Sequence, residues 1–289
     1  MGRVTVVTDS TSYLPPELIE RHRIHVVPLY VVFDGDRPVS ELDITDYAAF
    51  FEDLRAADKL PTTSQPSVGD FTSVFEPLLV DEGEVVSVHI SGGLSGTPEA
   101  ARQAKQALER DGTGGERIEV IDSRTAAGGL GMMVLTASKA ASAGASAREV
   151  ADAVAEARKE LKIWFAIDTL EFLRRGGRIG AASAWIGSTL KVKPILTVEN
   201  EMVPVERVRT SGRAFERMVD YARQRHESGA DAWSAQHIAA PDQCARLVDR
   251  CVEIFGCPPT IVTELGPVLA AHTGPGLLGV GGLPSRFVR

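Results

Sequence analysis

With 289 residues the chain is long enough for one large or two ordinary domains, and a composition 44% hydrophobic and 24% charged excludes a disordered chain. A formal net charge of -8 argues against a general nucleic-acid binder, which needs a concentrated basic surface. No run reaches the ~18 to 20 apolar residues of a membrane span, and Met1-Gly2-Arg3 leads into a strand-like Val4-Thr5-Val6-Val7 rather than a signal sequence, so a cytoplasmic protein is expected.

Strand and helix signals alternate from the start. Val4 to Thr8 reads as a strand, Pro15 to Arg21 as a helix and Val26 to Phe33 as a second apolar run. Asp43 to Leu54 carries Tyr47, Phe50, Phe51 and Leu54 at helical spacing, and Val68 to Leu79 is a further helix. The β-branched run Val85 to Ile90 then enters Ser91-Gly92-Gly93-Leu94-Ser95-Gly96-Thr97, and Pro98 opens a helix to Arg110 with Thr97 as its N-cap. Strand Ile118 to Ile121 and an alanine-rich helix from Leu130 to Ala143 complete an alternation that predicts a mainly parallel sheet with helices on its faces.

Ser146 and Glu149 form a capping box for a helix with Val150, Val154, Ala157 and Leu161 on one face. Strand Ile163 to Ile167 follows, and a domain change here gives an N-terminal α/β domain, 1–162, and a second α/β domain, 163–289. The second domain is expected to hold helices at Thr169 to Arg175 and Ala181 to Leu190, strands at Pro194 to Val198 and Val203 to Arg209, and a helix at Ala214 to Arg225. Strand Ala232 to Ile238, helix Gln243 to Phe255 and strand Ile261 to Thr263 come after. Cys244 and Cys251 lie on one face of that last helix with Leu247 and Val248, which reads as buried core thiols; with Cys257 they offer neither a disulfide framework nor CxxC spacing.

Three segments rich in small hydrogen-bond donors stand out: Pro61 to Ser67, Ser91 to Thr97 and His272-Thr273-Gly274-Pro275-Gly276. In a parallel sheet Asp9-Ser10 and Asp122-Ser123 share the carboxyl edge with the second of these, the side where open α/β sheets bind ligands, although the same residues equally serve as caps. Thr63 and Ser95 can each donate an O–H to a carboxylate, His272 can donate from one ring nitrogen, and the helix N-terminus after Gly96 and Thr97 adds backbone N–H groups. Neutral donors hold an anion without a buried countercharge, which suits a group that is bound, modified and released.

Leu170, Phe172, Leu173, Ile179, Trp185, Ile186, Leu190, Ile195 and Leu196 make an apolar region suited to an acyl chain, or simply a domain core. At ~0.8 kcal/mol per buried methylene, such a chain supplies affinity and leaves the head group little to add. Arg174, Arg175, Arg178 and Arg209 either complement a helix dipole or form a local positive patch for a negative partner.

As a set, Thr8-Asp9-Ser10-Thr11 with Leu14, Pro61 to Ser67, Ile90-Ser91 with Leu94 to Thr97, Asp122-Ser123, Leu170 to Ile179, and Gly266 with His272 to Gly276 resemble the DegV family of bacterial fatty-acid-binding proteins. The resemblance implies a two-domain α/β fold enclosing one long-chain fatty acid, such as palmitate, with its tail in a tunnel and its carboxylate at the domain interface. It assigns the carboxylate to Thr63 and Ser95, with His272 assisting, and places Arg175 and Arg209 near the head group or a partner. No cofactor is implied; the partner is a separate ATP-binding kinase subunit that forms acyl phosphate on the bound acid. Gly92-Gly93 departs from the family pattern, in which a second serine is common, and Pro98 stands where tyrosine is frequent, so Ser95 is favoured over Ser91.

Two other functions remain on this sequence. A serine hydrolase or acyltransferase would use Ser95 with His272 and Asp9 or Asp122, but Ser95 lacks the nucleophile-elbow pattern. An autonomous kinase lacks the GxxxxGK[ST] phosphate loop.

Overall fold

The structure, a computed structural model, describes residues 3–33, 35, 37–185 and 192–289. Seven strands lie before residue 161: β1 (Val4–Asp9), β2 (His25–Val27), β3 (Tyr30–Val32), β4 (Val39–Ser40), β5 (Thr62–Ser64), β6 (Glu84–His89) and β7 (Ile118–Asp122). Six follow among the described residues: β8 (Lys162–Ala166), β9 (Lys193–Val198), β10 (Met202–Val208), β11 (Ala232–His237), β12 (Ile261–Glu264) and β13 (Leu278–Leu283). The helices are α1 (Pro16–His22), α2 (Tyr47–Ala56), α3 (Val68–Leu78), α4 (Thr97–Arg110), α5 (Gly128–Ser142), α6 (Ala147–Glu160), α7 (Glu171–Arg175), α8 (Ser211–Glu227), α9 (Pro241–Phe255) and α10 (Pro267–Thr273).

The protein is α/β. A four-stranded sheet in the order β2-β1-β6-β7 is parallel throughout, so the ends of β1, β6 and β7 open onto one edge. Strands β4-β3-β5 form a small antiparallel sheet that sets Thr63 opposite Val31. The later strands build a mixed sheet, β10-β9-β8-β13-β11-β12, in which only β11 and β12 run parallel.

Helix α5 joins the two large sheets. Residues 128–138 are all buried, and the helix packs against β1 and β6 on one side and against β11, β12 and β13 on the other. A helix apolar all round is what this double burial requires. One core cluster accordingly runs from Val86 and Leu130 to Phe165 and Leu196. Separate clusters fill α3 and α4 against the parallel sheet, around Phe71 and Phe75, and α8 and α9 against the mixed sheet, around Met218 and Trp233. Cys244 and Cys251 are buried in the last of these, where burial pushes their thiols up to about 11 and about 12.

Several expectations are corrected. The apolar run 26–33 is broken at Pro28, which has no N–H for a ladder, and its two parts enter different sheets as β2 and β3. The helix expected from Asp43 begins at Tyr47, because the Asp46 side chain accepts from Ala49 N and caps it there. Gly96 holds the cap position of α4, while the Thr97 hydroxyl pairs with Ser95. Of the helix expected over 181–190, the described part is a 3-10 turn, Gly180–Trp185; 186–190 lie outside the described residues. The Ser146–Glu149 capping box forms as the spacing predicts.

Candidate functional site

A cavity of about 290 Å³ lies where the small sheet, the loop after β6, the tip of β9–β10 and α10 meet. Its apolar walls are Leu29, Ile90, Leu94, Met202, Val268 and Leu269, and its polar side carries Thr63, Ser64, Gln65, Ser95, Arg178 and His272. The size is at the low end of small-molecule sites.

The loop after β6 is fixed at its start. Ser91 N donates to Thr125 O at 2.8 Å, and Leu94 N and Ser95 N both donate to Ser91 O at 3.0 Å, winding the chain into a turn that presents Ser95. The Ser91 hydroxyl donates to Asn200 O at 2.5 Å, tying the loop to the β9–β10 tip. Any Cβ at Gly93 would overlap that same Asn200 carbonyl, so this glycine is what allows the hairpin to dock. Ser91 is thereby engaged in structure. Ser95 Oγ lies 2.8 Å from Thr97 Oγ1 and also accepts from Thr97 N at 3.3 Å. At Gly96 a Cβ would overlap the Gln65 amide, so this glycine lets the Gln65 side chain close over the helix start.

Across the cavity, β5 places Thr63 Oγ1 2.7 Å from His272 Nε2 on α10. Burial, with the nearby Arg178 cation adding to it, pushes the His272 ring down to about 4, so the imidazole is neutral at physiological pH. Its Nδ1 is buried without a hydrogen-bond partner and faces Gly176, where any side chain would overlap the ring. A neutral imidazole has one donor and one acceptor nitrogen. If Nε2–H donates to Thr63 Oγ1, the threonine O–H is free to donate into the cavity; in the other tautomer that hydrogen is held by the ring.

The structure brings Thr63, Ser95 and His272 to one cavity, with Gly96 and Thr97 directly behind Ser95. It places Arg175 and Arg209 outside the cavity lining: Arg175 donates to Asp58 O at 2.6 Å on the surface, and Arg209 is exposed beyond the end of β10. The arginine that reaches the cavity is Arg178, held by bonds to Gly176 O at 2.8 Å and Leu94 O at 3.3 Å.

None of the described residues of the expected apolar region lines the cavity. Leu173 and Leu196 belong to the main core with Leu170, Phe172, Ile179 and Trp185 packed against it, Ile195 lies in the α8–α9 cluster, and Ile186 and Leu190 fall outside the described residues. Gln65, Ile90 and Leu94 stand in segments the sequence singles out, but their place in the cavity, like that of Leu29, Met202, Val268 and Leu269, was not read from it. The signal for two of them was present: Pro267 at a helix start followed by Val268, Leu269 and His272 at i, i+1 and i+4 describes a short helix.

The hydrolase residues do not assemble. Ser95 pairs with Thr97 and His272 with Thr63, while Asp122 accepts from Arg124 N. Asp9 accepts from Thr11 N, Thr11 Oγ1, Ile90 N and the His89 ring. A Ser–His–Asp chain does exist as Ser87–His89–Asp9, at 2.6 and 3.0 Å, but all three residues are fully buried and out of reach of any substrate. Among the described residues no cluster of His, Cys, Asp and Glu could hold a metal ion, and no helix is long and apolar enough to cross a membrane.

The family model for uncharacterised proteins of the DegV family matches residues 3–285. A DegV domain-containing protein of Streptomyces coelicolor is 38% identical over 280 residues, covering 96% of this chain and 97% of the relative. Protein DegV of Bacillus subtilis is 33% identical over 282 residues, covering 96% and 98%. Among solved structures, a fatty-acid-binding DegV family protein from Thermus thermophilus superposes with a TM-score of 0.86 at 37% identity, over 98% of this chain and 99% of that one. DegV from Bacillus subtilis, described as a fatty acid binding protein, gives 0.85 at 32% identity over 98% and 100%.

Proposed function

We propose that this chain, which belongs to the DegV family, binds a long-chain fatty acid of the palmitate type in the cytoplasm and presents it to a separate ATP-binding kinase subunit for acyl phosphate formation. The carboxylate sits between the two units, 1–162 and 163–289, and accepts from Thr63 and Ser95. The acyl chain leaves the head group along the walls of Leu29, Ile90, Leu94, Met202, Val268 and Leu269. The observation that carries this reading is the Thr63–His272 pair, two neutral groups 209 positions apart held at 2.7 Å on the polar side of a cavity whose opposite walls are apolar.

The donors form two short relays. His272 Nε2–H donating to Thr63 orients the threonine O–H toward the ligand, and Thr97 O–H donating to Ser95 does the same for the serine. Both relays are uncharged, so the bound carboxylate keeps its charge without a tight ion pair to break when it accepts a phosphoryl group. Arg178 at the cavity, with Arg175 and Arg209 on the surface, supplies positive potential for the incoming phosphates.

Mass spectrometry of lipid extracted from the purified protein is expected to find a long-chain fatty acid in near-stoichiometric amount, and absence of any acyl species would count against the ligand. Thr63→Ala and Ser95→Ala should each weaken palmitate binding about tenfold or more, the effect of one hydrogen bond to a charged carboxylate, with the fold intact. Acyl phosphate should form only when a kinase subunit and ATP are added; turnover by the isolated chain would contradict the carrier role.

A further inference from the structure

The cavity rests on a second cluster that does not line it. Glu41 is 1% exposed, and its carboxylate accepts from Ser10 Oγ at 2.6 Å, from Tyr13 OH at 2.5 Å and from the backbone N–H of Val268 at 2.8 Å. The Tyr13 hydroxyl in turn accepts from Leu269 N at 3.3 Å. Val268 N and Leu269 N belong to the first turn of α10, whose N–H groups have no partner within the helix. Burial and the Glu41 charge raise the Tyr13 phenol well above its ordinary value, so it remains a donor.

Helix α10 has seven residues, too few to be stable alone, so its position is set by what holds its ends. It carries Val268, Leu269, His272 and Thr273, which all line the cavity. The cap comes from distant segments: Glu41 follows β4, while Ser10 and Tyr13 follow β1. Gly266 allows the approach, because a Cβ there would come within 2.6 Å of Tyr47 OH and 3.0 Å of Glu41 Oε1. The same cluster fixes the facing wall, since Glu41 N donates to Leu29 O at 2.9 Å and Leu29 N donates to Ser10 Oγ at 3.0 Å.

We propose that Glu41 is a positioning residue for head-group recognition: its carboxylate, braced by Ser10 and Tyr13, anchors the start of α10 and so holds His272 against Thr63. Glu41 does not touch the ligand. The inference rests on the fatty-acid reading above, and the two can fail separately.

The test measures binding of palmitate and of hexadecanol, which has the same chain and no carboxylate, to the full-length protein stripped of lipid. Glu41→Ala is expected to weaken palmitate binding about tenfold, the effect of one misplaced hydrogen bond, and to weaken hexadecanol binding less, so that the preference for the acid narrows. Glu41→Gln, which keeps one acceptor for Val268 N, should recover much of that preference. Should Glu41→Ala not fold, Tyr13→Phe, which unties Leu269 N, is judged by the same two ligands. Unchanged palmitate affinity in a folded variant, or equal losses for acid and alcohol, would overturn the proposal. Thr63→Ala is the control: a loss there without one at Glu41 overturns only the positioning role, whereas no loss at Thr63 overturns both readings.

Discussion

His89 and His272 are held in opposite ways. His89 ends β6 in the parallel sheet, fully buried, with both ring nitrogens paired to Ser87 and Asp9 and its ring edge-on to Phe71 at 5.0 Å. His272 has one nitrogen paired to Thr63 and the other buried without a partner, at the wall of a cavity. A complete network of donors and acceptors fixes a structure, whereas the Thr63–His272 pair beside a cavity leaves the threonine O–H to donate to a ligand. Residue type does not distinguish the two sites: the composition Ser–His–Asp, so often taken for a catalytic signature, here belongs to the inert one.

The contrast breaks most visibly at Asp9. Asp9→Ala leaves Ile90 N, Thr11 and the His89 ring without their acceptor, and urea unfolding should show a loss of about 3 to 5 kcal/mol. A loss below about 1 kcal/mol would mean that the buried chain is not the structural site it is taken to be.

At His272 the expected effect depends on pH. The folded ring is held near 4 against an ordinary value of 6.5, so the unfolded chain binds the extra proton first and stability is lost as pH falls from above 6.5 through 4. Below both values the loss sums to roughly 3 kcal/mol. His272→Gln should flatten this part of the stability-against-pH curve, and an unchanged slope would contradict the neutral, buried ring.

Gly176→Ala sharpens the comparison with the smallest change. The added methyl overlaps His272 Nδ1, with Phe172 O a lesser contact at 3.1 Å, while the backbone at Gly176 is ordinary, so the main cost comes from displacing the ring. Crowding of this kind costs about 1 to 3 kcal/mol, and palmitate binding should weaken along with it. Unaltered binding in this variant would show that the ring position is immaterial to the ligand.

The parts of the fold written in strong periodicity were legible. Strands β1, β6 and β7 and helices α3, α4, α6 and α9 lie within a few residues of their apolar patterns, and the parallel sheet follows from their alternation. Strands β4, β5 and β13 and helix α10 were hidden. Strand β13 reads Leu-Gly-Val-Gly-Gly-Leu, a composition that argues for a turn, yet it is an interior strand of the mixed sheet, and its Gly281 lies so close to Ile163 that a side chain would overlap it. Helix α10 has seven residues, and its one signal is Pro267 at the start with Val268, Leu269 and His272 behind it.

The site was legible in its donors and not in its walls. Thr63, Ser95 and His272 stand in segments of small polar residues that a core has little use for, so their convergence could be anticipated. Whether Leu173 or Leu269 faces the cavity is decided by packing, because both are apolar and buried and look alike in a sequence. Glu41 was invisible for a related reason: an acidic residue beside Asp43 reads as solvated surface until the fold buries it against Val268 N.

The most direct test is a crystal structure of the protein with palmitate bound. The carboxylate oxygens are expected within about 3.2 Å of Thr63 Oγ1 and Ser95 Oγ, with the Thr63–His272 bond retained and the first methylenes against Leu94, Val268 and Leu269. A carboxylate paired instead with a surface arginine, or a chain lodged in another crevice while this cavity holds only water, would contradict the account.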